Sequence, residues 1–134
     1  MAFSEALLPE FEQEVVGMSN NGQSLFLWRF DPIVEAPVLS ICYADKNKNY
    51  RKAESLDDDI NSKAGKISAA ITNDANTIYF ASDREGGLGG KDIYVTRRIP
   101  DGSWGTPLNL GPTVNTPYDE DFPSFSADEK TIYF

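Results

Sequence analysis

The 134-residue chain has no histidine, a single cysteine, and only twelve basic residues against twenty-one acidic ones. Each scarcity excludes something. Without histidine there can be no Ser-His-Asp chemistry and no imidazole metal ligand within the chain. Cys42 has no partner for an intrachain disulfide, and its place in Leu39-Ser40-Ile41-Cys42-Tyr43 reads as a small apolar strand residue. The net charge of −9 argues against nucleic acid and anionic membrane surfaces, both of which attract basic patches. No apolar run reaches the length of a membrane-spanning helix. The opening Met1-Ala2-Phe3-Ser4-Glu5-Ala6-Leu7-Leu8 is too short and too acidic for a secretory signal. Any export signal is expected to lie outside this sequence, to have been removed, or not to exist.

What the chain does have is a period. Thr77-Ile78-Tyr79-Phe80 returns 54 residues later as Thr131-Ile132-Tyr133-Phe134. The same shift carries Tyr50 onto Trp104, Leu56 onto Leu110, Ile60 onto Val114, Asn61 onto Asn115 and Asp74 onto Asp128. A fainter copy stands upstream, where residues 19–27 match 72–80 at a shift of 53. Regular spacing of this length marks a repeat architecture.

Within one period the pattern is four short strands. Ile67–Ile71 and Thr77–Ala81 flank a turn, Thr72-Asn73-Asp74-Ala75-Asn76, whose Asn and Asp side chains bond nearby backbone groups and tolerate left-handed angles. Aromatic and β-branched density makes Thr77–Ala81 a strand. A loop with four glycines, Gly86, Gly87, Gly89 and Gly90, then leads into a third strand from Asp92 through Tyr94 to Arg98. Asp101-Gly102 signals a hairpin before a fourth strand from Trp104 to Leu110. Pro107 assigns that strand to a sheet edge, because proline has no N–H to donate. Four antiparallel strands per period, the last at an edge, describe a β-propeller blade. The expected organisation is an all-β, open-ended propeller segment. A lead-in spans residues 1–12, a degenerate blade 13–65, a second blade 66–119, and the first hairpin of a third blade 120–134.

The stretch from Asp74 onward resembles the WD40-like repeat called PD40, found in TolB-like propellers and in envelope proteins with an OmpA-like peptidoglycan-binding domain. The residues that carry the resemblance are Ser82-Asp83-Arg84, Gly86-Gly87-Leu88-Gly89-Gly90-Lys91-Asp92-Ile93-Tyr94-Val95 and Asp101-Gly102-Ser103-Trp104-Gly105-Thr106-Pro107-Leu108-Asn109-Leu110-Gly111. Val114-Asn115-Thr116, Asp119-Glu120 and Ser126-Ala127-Asp128 complete it. The upstream blade departs from the pattern, with Asp31-Pro32-Ile33-Val34-Glu35-Ala36-Pro37 in place of the glycine loop and Tyr50 in place of the tryptophan. The resemblance implies a non-catalytic platform in the Gram-negative envelope, periplasmic or outer-membrane-associated. It would hold a protein partner, and would reach peptidoglycan only through a domain not present in this sequence. Two blades and a hairpin do not close a ring. The expectation is therefore a piece of a longer protein, with a homo-oligomer as the alternative if the chain is complete.

Candidate chemistry is sparse. The glycine loop runs into a strand and not a helix, so no helix N-terminus can cradle a phosphate there. It reads instead as a wide turn in which Asp83, Arg84 and Asp92 bond backbone groups and each other. Asp57-Asp58-Asp59 and Asp119-Glu120-Asp121 could offer oxygens to Ca²⁺, but no D-x-D-x-D-G loop is present. Glycoside hydrolysis needs two carboxyls about 5–10 Å apart with one of them buried, and no strand carboxylate reads as buried. Trp28 and Trp104 could stack on a ligand, although aromatics at such positions more often pack between blades.

Overall fold

The computed structural model describes residues 13–61, 65–112, 114–116, 118 and 121–134. The lead-in 1–12, Asp119 and Glu120 lie outside the described residues. Among the described residues there is no helix. Strands β1 (Gln13–Met18), β2 (Ser24–Asp31), β3 (Ala36–Tyr43) and β4 (Glu54–Ser55) form one antiparallel sheet in sequence order. β5 (Ser68–Ile71), β6 (Thr77–Ser82), β7 (Asp92–Arg97) and β8 (Leu108–Asn109) form a second sheet of the same order. β9 (Ser124–Phe125) and β10 (Ile132–Tyr133) pair as a third. The chain is a β-propeller segment of two four-stranded blades plus a hairpin, and neither four-stranded sheet closes into a barrel.

Alternation along each strand decides which side chains meet the neighbouring blade. Phe26 and Ile41 of the first sheet pack with Ala69, Ile71, Ile78 and Phe80 of the second in one core shared between the blades. On the other face of the first sheet, Leu25, Leu27 and Cys42 cluster with Tyr50 and Ala53. The innermost strands stand side by side, with β5 in contact with both β1 and β9. Close approach there requires a residue without a side chain. A Cβ on Gly17 would lie 1.8 Å from the carbonyl oxygen of Ala69, and β1 bulges at this point, between Val15 and Gly17.

The fourth strands are shorter than the sequence suggests. Trp104 makes only an isolated bridge to Arg98, and regular pairing resumes at Leu108. Gly105 and Pro107 lie between these two points, and the proline contributes no N–H to a ladder. The first blade repeats this arrangement, with a bridge between Ala44 and Tyr50 followed by β4.

Candidate functional site

Antiparallel order places the β1–β2, β5–β6 and β9–β10 turns at one end of the blades and the β2–β3 and β6–β7 connections at the other. At the first end one turn is built three times. Ser19, Thr72 and Ser126 each donate a hydroxyl hydrogen bond to the acid or amide two residues on, Asn21, Asp74 and Asp128, at 2.7, 2.6 and 2.6 Å. That same side-chain oxygen accepts the backbone N–H of Gln23, Asn76 or Lys130, each at 3.0 Å. The left-handed position falls on Gly22, Ala75 and Glu129, with φ of 72°, 60° and 60°. The turns also join each other. Asn21 N–H donates to Asn73 Oδ1 at 2.9 Å, Asn73 N–H to Glu129 Oε2 at 2.9 Å, and Asn20 Nδ2 to the Ser126 carbonyl at 2.8 Å.

Asp101 is spent in the same way in the β7–β8 turn. Its Oδ1 accepts from the N–H and hydroxyl of Ser103, while Gly102 takes φ of 93°. Hydrogen bonds from Thr72, Ser103 and Ser126 hold the carboxyls of Asp74, Asp101 and Asp128, respectively, below the usual aspartate range.

The opposite end carries the glycine loop. Asp92, fully buried at the start of β7, accepts the Leu88 N–H and the Asn109 amide through Oδ2. Gly87 is held so close that an added Cβ would meet this carboxylate at 2.4 Å. Gly86 turns the loop with φ of 91°; Gly89 is half-buried and Gly90 exposed. Asp83 accepts from the Gly65 N–H at 2.8 Å. Arg84 donates to the Asp59 and Ile60 carbonyls of the preceding connector at 2.7 and 2.6 Å. Its guanidinium lies over Phe80 and Tyr94, 4.9 and 5.0 Å from the two ring centroids. All three residues bind backbone groups as expected, but no hydrogen bond or ion pair joins them to one another. Arg84 reaches the neighbouring blade instead.

Two strand carboxylates are buried, contrary to the sequence reading: Asp92, and Asp31 at 8% exposure. Neither pattern of alternation nor propensity reveals them, since each sits at a strand end beside a connection. Asp31 Oδ2 accepts from Ser55 Oγ at 2.5 Å and Oδ1 from the Ile33 N–H at 2.8 Å. These bonds, Ser55 first, lower its pKa, whereas a glycosidase acid needs a raised one.

Asn115 donates to the Ile93 carbonyl at 3.1 Å and accepts the Ile93 N–H at 2.7 Å, with Asn109 Oδ1 as a further acceptor. Asn61 repeats this on Leu39, at 2.9 and 2.6 Å. Trp104 is buried beneath Arg98, whose guanidinium lies 4.3 Å from its ring centroid and donates to Tyr43 Oη across the blades. Pro107 precedes the edge strand β8. Arg98 escaped the sequence reading because the repeat places it opposite Ala44. The contact of Asp121 with Ser68 and Lys91, at 2.6 and 2.9 Å, escaped because it joins distant segments.

Among the described residues, no group of three or more acidic, cysteine or histidine side chains could hold a metal ion; of the two acidic clusters, Asp119 and Glu120 lie outside the described residues. No described helix is long and apolar enough to cross a membrane. Two grooves flank β4. One of about 380 Å³ contains Tyr43, Glu54, Asp57, Arg98 and Trp104, and one of about 630 Å³ contains Trp28, Asp31, Val38, Ser55 and Asp58. No family model matches the chain, nor does any curated protein or solved structure.

Proposed function

We propose that the chain is a non-catalytic PD40/WD40-like propeller module of a bacterial cell-envelope protein, which binds a protein or peptidoglycan-associated partner through the end that carries the glycine loop. One observation carries this reading. The polar residues that the repeat marks are spent on the fold: Asp74, Asp101 and Asp128 in turns, Asp83 and Arg84 on neighbouring backbone, and Asn115 on Ile93. A site built for catalysis holds its acids and bases toward a cleft with their pKa values pushed apart; here hydrogen bonds hold Asp31, Asp74, Asp101, Asp121 and Asp128 all below the ordinary aspartate value. The envelope location rests on the residue pattern of the repeat.

The grooves beside β4 favour a second reading, because each combines a tryptophan with carboxylates, a pairing that also suits carbohydrate. The two readings separate in one experiment. A photo-crosslinking residue at Leu88, in the glycine loop and 47% exposed, is expected to trap a discrete protein in the native host. The purified chain is expected to leave model glycosides and peptidoglycan fragments unhydrolysed. Turnover of a glycoside, or glycan-array binding with no protein crosslink, would replace the first reading with the second.

A further inference from the structure

The larger groove lies beside the short β2–β3 connection of the first blade, where the second blade carries the longer glycine loop. The asparagine brackets fix the register: Leu39 occupies the place of Ile93, so Val38 stands where Asp92 stands and Ser55 where Asn109 stands. In the second blade Asp92 holds the glycine loop by accepting the Leu88 N–H, and the Asn109 amide donates to the same carboxylate oxygen. In the first, β2 and β3 are joined by residues 32–35 alone. Val38 and Ser55 line an open groove of about 630 Å³. The second blade holds at this position a glycine-rich length of backbone that runs on to Lys91.

The first blade's groove has a definite chemistry. Its charged lining residues among those described are Asp31 and Asp58, both carboxylates. Trp28 packs against the inter-blade core and also lines the groove, giving a face over which a cation can sit. Ile33 and Val34, 91% and 55% exposed, stand at the tip of the adjoining hairpin. The side-chain amide and the hydroxyl of the lining are already engaged. Asn61 spends its amide on Leu39 and Leu56, and Ser55 donates to Asp31. Among the described residues, what remains is apolar surface together with the charge of Asp58 and that of Asp31, the latter partly offset by the Arg29 guanidinium that also reaches Ser55 Oγ. This suits a cationic side chain on an apolar stem better than a polyol. Addition of a strand is disfavoured, because the outward position beyond Leu39 on β3 is Pro37, which lacks an N–H.

We infer that this groove binds an extended peptide segment of a partner protein, with a Lys or Arg side chain over Trp28 and between Asp31 and Asp58, in the place where the second blade holds its own glycine loop. The inference deepens the interaction reading above and rests on it.

The full chain, labelled with ¹⁵N, is titrated with three probes: the blocked peptide Gly-Gly-Leu-Gly-Gly-Lys, its Lys-to-Glu counterpart, and a chitin tetrasaccharide. The chain has two tryptophans, so each indole N–H signal is assignable by Trp28→Phe. The lysine peptide is expected to shift the Trp28 signal saturably and leave Trp104 in place, with a Kd of roughly 1 mM, as befits a short ligand. Asp58→Asn should weaken binding about threefold, and raised salt should weaken it further. The glutamate peptide and the sugar should leave Trp28 unmoved. Equal response to both peptides, a saturable response to the sugar, or no Trp28 response below about 10 mM lysine peptide would overturn the inference. If the groove fails while the Leu88 crosslink still traps a protein, the interaction reading stands without it. Glycoside turnover would remove both.

Discussion

Arg84 Nη2 donates to the Ile60 carbonyl at 2.6 Å, and this bond ties the second blade to the connector that leaves the first. With the second bond to Asp59 and the two aromatic rings beneath, the guanidinium acts as a pin across the core. Arg84→Met keeps the stem and removes the donors. It should destabilise the chain by about 1–3 kcal/mol, because two carbonyls lose their partner. Arg84→Lys should recover only part of this, since an ammonium cannot reproduce the planar fork. Denaturant melts check both, and an unchanged midpoint for Arg84→Met would contradict the pin.

Gly17 sets the distance between the innermost strands. Gly17→Ala must displace β1 from β5, since the added methyl would overlap the Ala69 carbonyl. A loss of about 3 kcal/mol or more is expected, comparable with other severe core overpacking. A thermal midpoint within a degree or two of the parent would show that the inner strands stand further apart than described.

Cys42 is wholly buried, and burial pushes its thiol up to about 11. The thiolate is the reactive form. The folded chain should therefore resist thiol reagents at pH 8 and react promptly in denaturant. Fast modification without denaturant would mean that the outer face of the first blade is open to solvent.

Acid should unfold the chain, with little change near neutrality. Asp31, Asp74, Asp101, Asp121 and Asp128 all titrate below the ordinary aspartate value. For Asp121, desolvation raises the value but is outweighed by the hydrogen bonds from Ser68 and Lys91. A lowered native pKa contributes stability that is fully present above the unfolded value, about 3.9, and lost as pH falls through the native one. With no histidine, the thermal midpoint should be nearly flat from about pH 5 to 8 and fall below about pH 4. Asp31→Asn should make that fall shallower. A midpoint that climbs on acidification would contradict these bonds.

The repeat made the blades legible, because turn residues and strand alternation recur at a fixed shift and local chemistry alone fixes both. The hairpin turns at Asp74, Asp101 and Asp128 follow from their own side chains. Pro107 marks an edge strand for the same reason. What crosses between blades was hidden. Arg84 and Arg98 are ordinary surface arginines by their neighbours in sequence, and only the packing of one blade on the next shows which carbonyls and rings they reach. The buried carboxylates of Asp31 and Asp92 were likewise hidden, since burial at a strand end depends on how the adjoining loop folds back. The groove beside Trp28 was written in the sequence only as a missing loop.

The two blades share one register, each fastened by an asparagine whose place repeats: Asn61 on Leu39 and Asn115 on Ile93. Amide hydrogen exchange on the parent chain and two variants tests this directly. The Leu39 and Ile93 amides should both be strongly protected in the parent. Asn61→Ala should release Leu39 while sparing Ile93, and Asn115→Ala should do the reverse, each at about 2–3 kcal/mol of stability for the bonds removed. Rapid exchange at both amides in the parent, or identical loss at both sites from either variant, would contradict the shared register.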